Sequence, residues 1–123
     1  MRRTPMLKKE YVELKKQGEI IPGEDYSLII NEVQNLAIKD TEQLHISEQS
    51  YGDSWRKRGG VGAFMMLARK WDRLEKQVEE HGYDVFKAIE SDARPEGIID
   101  DIRDLRRYLL LVDAHIQTKG ANE

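Results

Sequence analysis

Between residues 61 and 80, large apolar side chains return at alternating steps of three and four. Phe64, Leu67, Trp71, Leu74 and Val78 fall on one helical face, and Gly82 supplies a stop just past it. The same period runs through Ile98, Ile102, Leu105, Leu109, Val112 and Ile116 toward Gly120. From Ser27 to about His45, Ile29, Ile30, Val33, Leu36, Ala37 and Leu44 are helically spaced, with Asp25 or Ser27 available as N-cap. A shorter pattern over Met6 to Gln17 aligns Leu7, Tyr11 and Leu14 ahead of Gly18. Tyr83 to Glu90 reads as a short extra helix, and Ser91 to Gly97 as a turn with Pro95 near the next helix start. No window alternates with period two between turn signals, and there is no internal repeat. The expectation is an all-α protein with a four-helix core and a short extra helix.

The breaks in this pattern set the organisation. Ile20 to Gly23, with Pro22, reads as a connector, giving an N-terminal helix and connector over 1–24 and a helical domain over 25–119. Ser47 to Gly60 has no periodicity and three glycines, and reads as a loop carrying Tyr51, Trp55 and the basic run Arg56, Lys57 and Arg58. That loop leads into a helix N-terminus, whose free N–H groups and positive dipole end favour anions such as phosphates. Phe64, Met65, Met66, Leu67 and Trp71 are most simply core. The apolar stripes on 61–80 and 98–116 are long for a small chain, so a homo-oligomer is expected.

Composition narrows the function classes. A chain of 123 residues can bury about two-thirds of its unfolded surface around one core. The absence of Cys fits a reducing compartment and excludes thiolate catalysis and Cys-ligated metal. No apolar run reaches membrane-spanning length, and Arg2 and Arg3 lead into Lys8, Lys9 and Glu10 with no signal-like apolar segment between. A cytoplasmic, non-membrane protein is expected. With 20 Lys and Arg against 23 Asp and Glu, the net charge of −3 does not favour extended nucleic acid as a partner.

Two acid pairs stand one helical turn apart, Asp72 with Glu75 and Asp101 with Asp104. Each could offer neighbouring oxygens to Mg²⁺. Antiparallel packing of the helices over 61–80 and 98–116 offers a different use. Lys70 and Arg73 then face Asp101 and Asp104, and ion pairing explains all of these acids. His45, His81 and His115 form no metal-binding spacing, although His115 shares a stripe with Asp101, Asp104, Tyr108 and Leu111. The Gly59, Gly60, Gly62 cluster follows no strand and lacks the Lys of a P-loop. Tyr51 and Trp55 read either as a hydrophobic plug or as a base-stacking surface beside phosphate-binding cations.

Three segments together carry a family likeness: Tyr51-Gly52-Asp53-Ser54-Trp55, then Arg69-Lys70-Trp71-Asp72-Arg73-Leu74, then Asp100-Asp101-Ile102-Arg103-Asp104-Leu105 with Tyr108. Over roughly Ser27 to Ile116 the chain resembles the phage and bacterial nucleotide modification associated domain, type one. That family is related to the all-α nucleoside triphosphate pyrophosphatases, the MazG and dimeric dUTPase-like proteins. The resemblance implies a MazG-like four-helix core and a Mg²⁺-dependent pyrophosphohydrolase acting on standard or modified nucleoside triphosphates. Asp72, Glu75, Asp101 and Asp104 would hold the metal, since the two pairs, 25 residues apart, match the superfamily's acid-x-x-acid arrangement. Asp replaces the superfamily's Glu at 72 and 101. Arg56, Lys57, Arg58, Lys70 and Arg73 would bind phosphate, and Tyr51 or Trp55 would stack the base. The alternative is a non-catalytic nucleotide-binding or protein-interaction module in which the acids are ion-paired.

Overall fold

The computed structural model describes residues 26–119. Regular structure among them is helical throughout: α1 (Leu28–Tyr51), a 3₁₀ turn (Ser54–Arg56), α2 (Gly59–Glu79), α3 (Val85–Glu90) and α4 (Ile98–Thr118). The all-α expectation therefore holds for the described residues, and none of their helices is long and apolar enough to cross a membrane. The helix expected over Met6 to Gln17 lies outside them, as does its connector. The chain groups into two compact units, Met1–Gln43 and Leu44–Glu123. The boundary read between 24 and 25 falls at the edge of the described residues.

Local chemistry sets the helix ends. Ser27 begins α1, its hydroxyl accepting from the Ile30 N–H at 3.4 Å and its carbonyl from the Asn31 N–H at 2.9 Å. The helix does not stop near His45, because Ser47 to Ser50 contain neither Gly nor Pro. It ends where Gly52 takes a positive φ of 61° and donates to the Glu48 carbonyl at 2.7 Å. Half of the loop expected over Ser47 to Gly60 is thus helix, and Ser54–Arg56 adds a 3₁₀ turn before α2 begins. At the other end of α2, Gly82 is left-handed and the Tyr83 N–H reaches back to the Val78 carbonyl at 3.0 Å, the reversal expected of a glycine stop.

Three aspartates hold the ends of α3 and α4. Asp84 caps α3 by accepting from the Phe86 and Lys87 N–H groups, both at 3.1 Å. Asp92 accepts from the Ile98 N–H at 2.6 Å and from the Arg94 guanidinium through Nε at 2.9 Å and Nη2 at 3.2 Å. Asp100 reaches back to the Gly97 N–H at 3.1 Å. Gly97 is buried, and a Cβ there would run into the Asp92 carboxylate.

Within the 44–123 unit, α2 packs chiefly on α4; the 3₁₀ turn lies on α2, and α3 touches both long helices. Ala63, Ala88 and Ile98 are the buried hydrophobic residues among those described. The core expected from α2 is corrected accordingly: Met66 and Leu67 are half-buried, but Phe64 is 63% and Trp71 52% exposed, and Met65 is exposed as well. One facing helix covers a single stripe of α2, and a six-residue α3 is too short to cover the rest.

The Arg94 guanidinium beside Asp92, helped by the Ile98 N–H, holds its carboxyl well below the usual carboxylate range. A depressed folded-state pKa contributes stability that is fully present above the unfolded value, about 3.9, and is lost as pH falls below it. Asp92→Asn should therefore lower stability at neutral pH and flatten the acid limb. Urea unfolding of both proteins from about pH 7 down to about pH 3 checks this, and parallel limbs would refute it.

Candidate functional site

The α2–α4 seam is built from cation and carboxylate pairs. Arg73 Nε lies 3.4 Å from Asp101 Oδ1, and Lys70 Nζ lies 3.0 Å from Asp104 Oδ2. A step of three back along α2 meets a step of three forward along α4, so the helices are antiparallel and in the register that brings these cations to these acids. Arg107 Nη1 approaches Asp104 Oδ1 at 3.7 Å. Asp101 is 1% exposed and sits in the first turn of α4, where the helix dipole favours a negative charge. Its Oδ2 is buried without a hydrogen-bond partner.

The remaining acids do not converge with this pair. Glu75 accepts from the Trp71 indole N–H at 2.7 Å, and Asp72 is exposed. Among the described residues, no group of three or more His, Asp or Glu side chains is placed to hold a metal ion. Of the expected phosphate ligands, Lys70 and Arg73 are engaged with Asp104 and Asp101, and Arg73 also donates to the Glu96 carbonyl at 3.4 Å.

A different cluster forms at the far end of the seam. About four turns beyond the Arg73–Asp101 pair, the same register sets the start of α2 beside His115. Here lies a pocket of about 370 Å³. Gly59, Gly60, Ala63, Phe64 and Leu67 line it from α2, and Val112, His115 and Ile116 from α4. Trp55 and Arg56 complete the lining from the 3₁₀ turn. The Arg56 guanidinium lies 5.7 Å from the Trp55 ring centroid, a cation–π distance. The Trp55 and His115 rings meet edge to face at 6.1 Å.

Arg56 is held from two sides. Its Nε donates to Asp53 Oδ2 at 3.0 Å, and its Nη1 donates to His115 Nδ1 at 2.7 Å. A guanidinium has no acceptor, so His115 Nδ1 is the accepting atom of this contact. Tyr51, Lys57 and Arg58 are exposed and do not line the pocket. The basic run thus divides, with Arg56 turned to the pocket and its two neighbours outside the lining. Of the two aromatics, Trp55 lines the pocket.

The stripe over residues 101–115 aligned His115 with the acids of α4 but said nothing of Arg56. The signal was present in the seam: carrying the Lys70–Asp104 register to the start of α2 would have set His115 against Gly59 and Gly60, next to the basic turn. Phe64 was assigned to the core, whereas it is a half-open pocket wall. Comparison of the chain with known protein families, with curated proteins and with solved structures finds no match.

The seam pairs make a quantitative prediction. Arg73→Met leaves the buried Asp101 carboxylate without its partner and should cost about 2 kcal/mol, most of it recovered by adding Asp101→Asn. Lys70→Met with Asp104→Asn, a more exposed pair, should show a coupling of about 1 kcal/mol or less. Chemical denaturation of the two cycles checks this, and a negligible coupling for Arg73 with Asp101 would contradict it.

Proposed function

We propose that this domain binds a nucleotide at the Trp55–Arg56–His115 pocket without hydrolysing it. The observation that carries the reading is the convergence of an aromatic ring, a guanidinium and an apolar pocket at the start of a 21-residue helix. A pocket of this volume lies at the small end of the range for small-molecule sites. Trp55 and Phe64 offer flat apolar surface to a base, and base–aromatic stacking contributes about 1 to 3 kcal/mol. Arg56 supplies charge-assisted hydrogen bonds to phosphate, with Lys57 and Arg58 adding positive charge nearby. The resemblance to the nucleotide modification associated domain points the same way.

The test is calorimetric titration with a nucleoside triphosphate and its nucleoside. Arg56→Ala combined with Arg58→Ala should weaken triphosphate binding by about 1.5 to 3 kcal/mol for the lost Arg56 contact, with a smaller, salt-sensitive loss from Arg58, and leave the nucleoside little changed. Trp55→Ala should weaken both. Undiminished triphosphate binding by the double variant would remove this pocket as the phosphate site.

One observation favours a second reading, the Mg²⁺-dependent pyrophosphohydrolase: the buried Asp101 Oδ2 takes no hydrogen bond, as an oxygen awaiting a cation would. As they stand, however, the side chains do not fit a metal cage, because Asp101 and Asp104 are engaged with Arg73 and Lys70. Catalysis would require both cations to leave the acids for phosphate oxygens. The titration repeated with Mg²⁺ while following pyrophosphate release separates the readings. Release that Asp104→Asn abolishes supports the hydrolase, whereas tight binding without release supports the binding module.

Either reading accommodates a homo-oligomer. Trp71, Leu109 and Leu110 are exposed on the paired helices, and a second copy is the partner that would cover them. Sedimentation should show a concentration-dependent mass, and a concentration-independent monomer would count against it.

A further inference from the structure

We infer that His115 is a second anion-binding residue of the pocket, and that it takes up a proton as a phosphate-bearing ligand enters. The inference rests on the nucleotide-binding reading above and names the part of the ligand that the site discriminates. Its basis is the 2.7 Å contact from Arg56 Nη1 to His115 Nδ1. In the free protein a neutral imidazole occupies one of the guanidinium's N–H groups, and Asp53 occupies another.

A phosphate oxygen approaching Arg56 competes with Nδ1 for the same N–H donor. Two acceptors facing one donor repel, and a bare lone pair beside a phosphate dianion is unfavourable. Both conflicts disappear if Nδ1 takes a proton from solvent: the Arg56–His115 hydrogen bond breaks, Arg56 donates to phosphate, and Nδ1–H donates beside it. An adjacent anion stabilises the protonated ring. The lining from α2, including Gly59, Gly60, Ala63 and Phe64, carries no charge, and neither does Val112 or Ile116 of α4. Arg56, backed by Asp53, is therefore the charged residue of the lining beside His115, with Lys119 one turn further along α4. With no anion bound, the Arg56 N–H is directed at Nδ1; with one bound, that N–H turns to the phosphate and Nδ1 is released from accepting. A neutral nucleoside triggers no such exchange, so the pocket responds to the phosphate end of its ligand.

The test uses the full chain, ¹⁵N-labelled on histidine, near pH 7.5, above the phosphate ionisation near 6 and the ordinary histidine range. His115→Gln assigns its ring signals. With no ligand, Nδ1 should resonate as an unprotonated imidazole nitrogen. Saturation with a nucleoside triphosphate should bring both ring nitrogens to the protonated position, and the matching nucleoside should not. Calorimetry in buffers of differing ionisation enthalpy should show uptake approaching one proton per triphosphate, absent in His115→Gln. Triphosphate affinity should rise as pH falls toward 7, and His115→Gln should lower it about tenfold, one charge-assisted contact, with the nucleoside unaffected. His115→Phe keeps a ring edge against Trp55, so an equal loss there excludes collapsed packing as the cause. If triphosphate binds while His115 stays neutral, or if both ligands weaken equally, the inference falls and the nucleotide-binding reading stands. If the parent chain binds no triphosphate, both fall together.

Discussion

The register between α2 and α4 is the constraint on which the rest of the 44–123 unit depends. Apolar burial alone specifies it weakly, because Ala63, Ala88 and Ile98 are the buried hydrophobic residues among those described, and half-covered stripes tolerate sliding. The charges add a preference. Moving α4 by one turn would part Asp101 from the Arg73 guanidinium and set it against the ammonium of Lys70 or Lys76, which lacks the fork that matches a carboxylate. The ion pairs therefore act as a positional device: they add little net stability over a well-packed apolar seam, but they penalise the alternatives.

What the register fixes at one end it delivers at the other. The pocket at the start of α2 is held locally by the Trp55–Arg56–His115 contacts and the Arg56–Asp53 bond, and its two long walls belong to helices that the seam joins about four turns away. The bonds from Arg56 to Asp53 and to His115 then prevent the guanidinium from turning outward to solvent with its neighbours Lys57 and Arg58. A contiguous basic run is in this way sorted by geometry into one residue that lines the pocket and two that do not.

Much of this was legible in the sequence. The three-and-four spacing from Phe64 to Val78 and from Ile98 to Ile116 marks both long helices, and antiparallel packing of the two sets Lys70 and Arg73 against Asp101 and Asp104, as one of two uses the acids offer. The continuation of α1 to Tyr51 was not legible, because its last turns carry few apolar residues and helix propensity there is set by the absence of breakers rather than by a stripe. Exposure of Phe64 and Trp71 was also hidden: periodicity reports which face is apolar, not whether anything covers it. The Arg56–His115 contact joins residues 59 positions apart, and no local pattern carries such a pairing unless a register is first assumed.

The corner between α3 and α4 has a consequence for inheritance. Gly97 and Asp92 occupy one another's space, since a Cβ at 97 meets the Asp92 carboxylate, and that carboxylate holds both Arg94 and the first N–H of α4. Position 97 cannot gain a side chain while Asp92 keeps its place. A descendant that acquires a side chain at 97 must shorten or relocate the one at 92 and lose the Ile98 cap in the same step, and Ile98 is the one large buried hydrophobic side chain among the described residues. A side chain at 97 should therefore appear only together with a change at 92, whereas 92 can change beneath Gly97 with loss of the Ile98 cap alone.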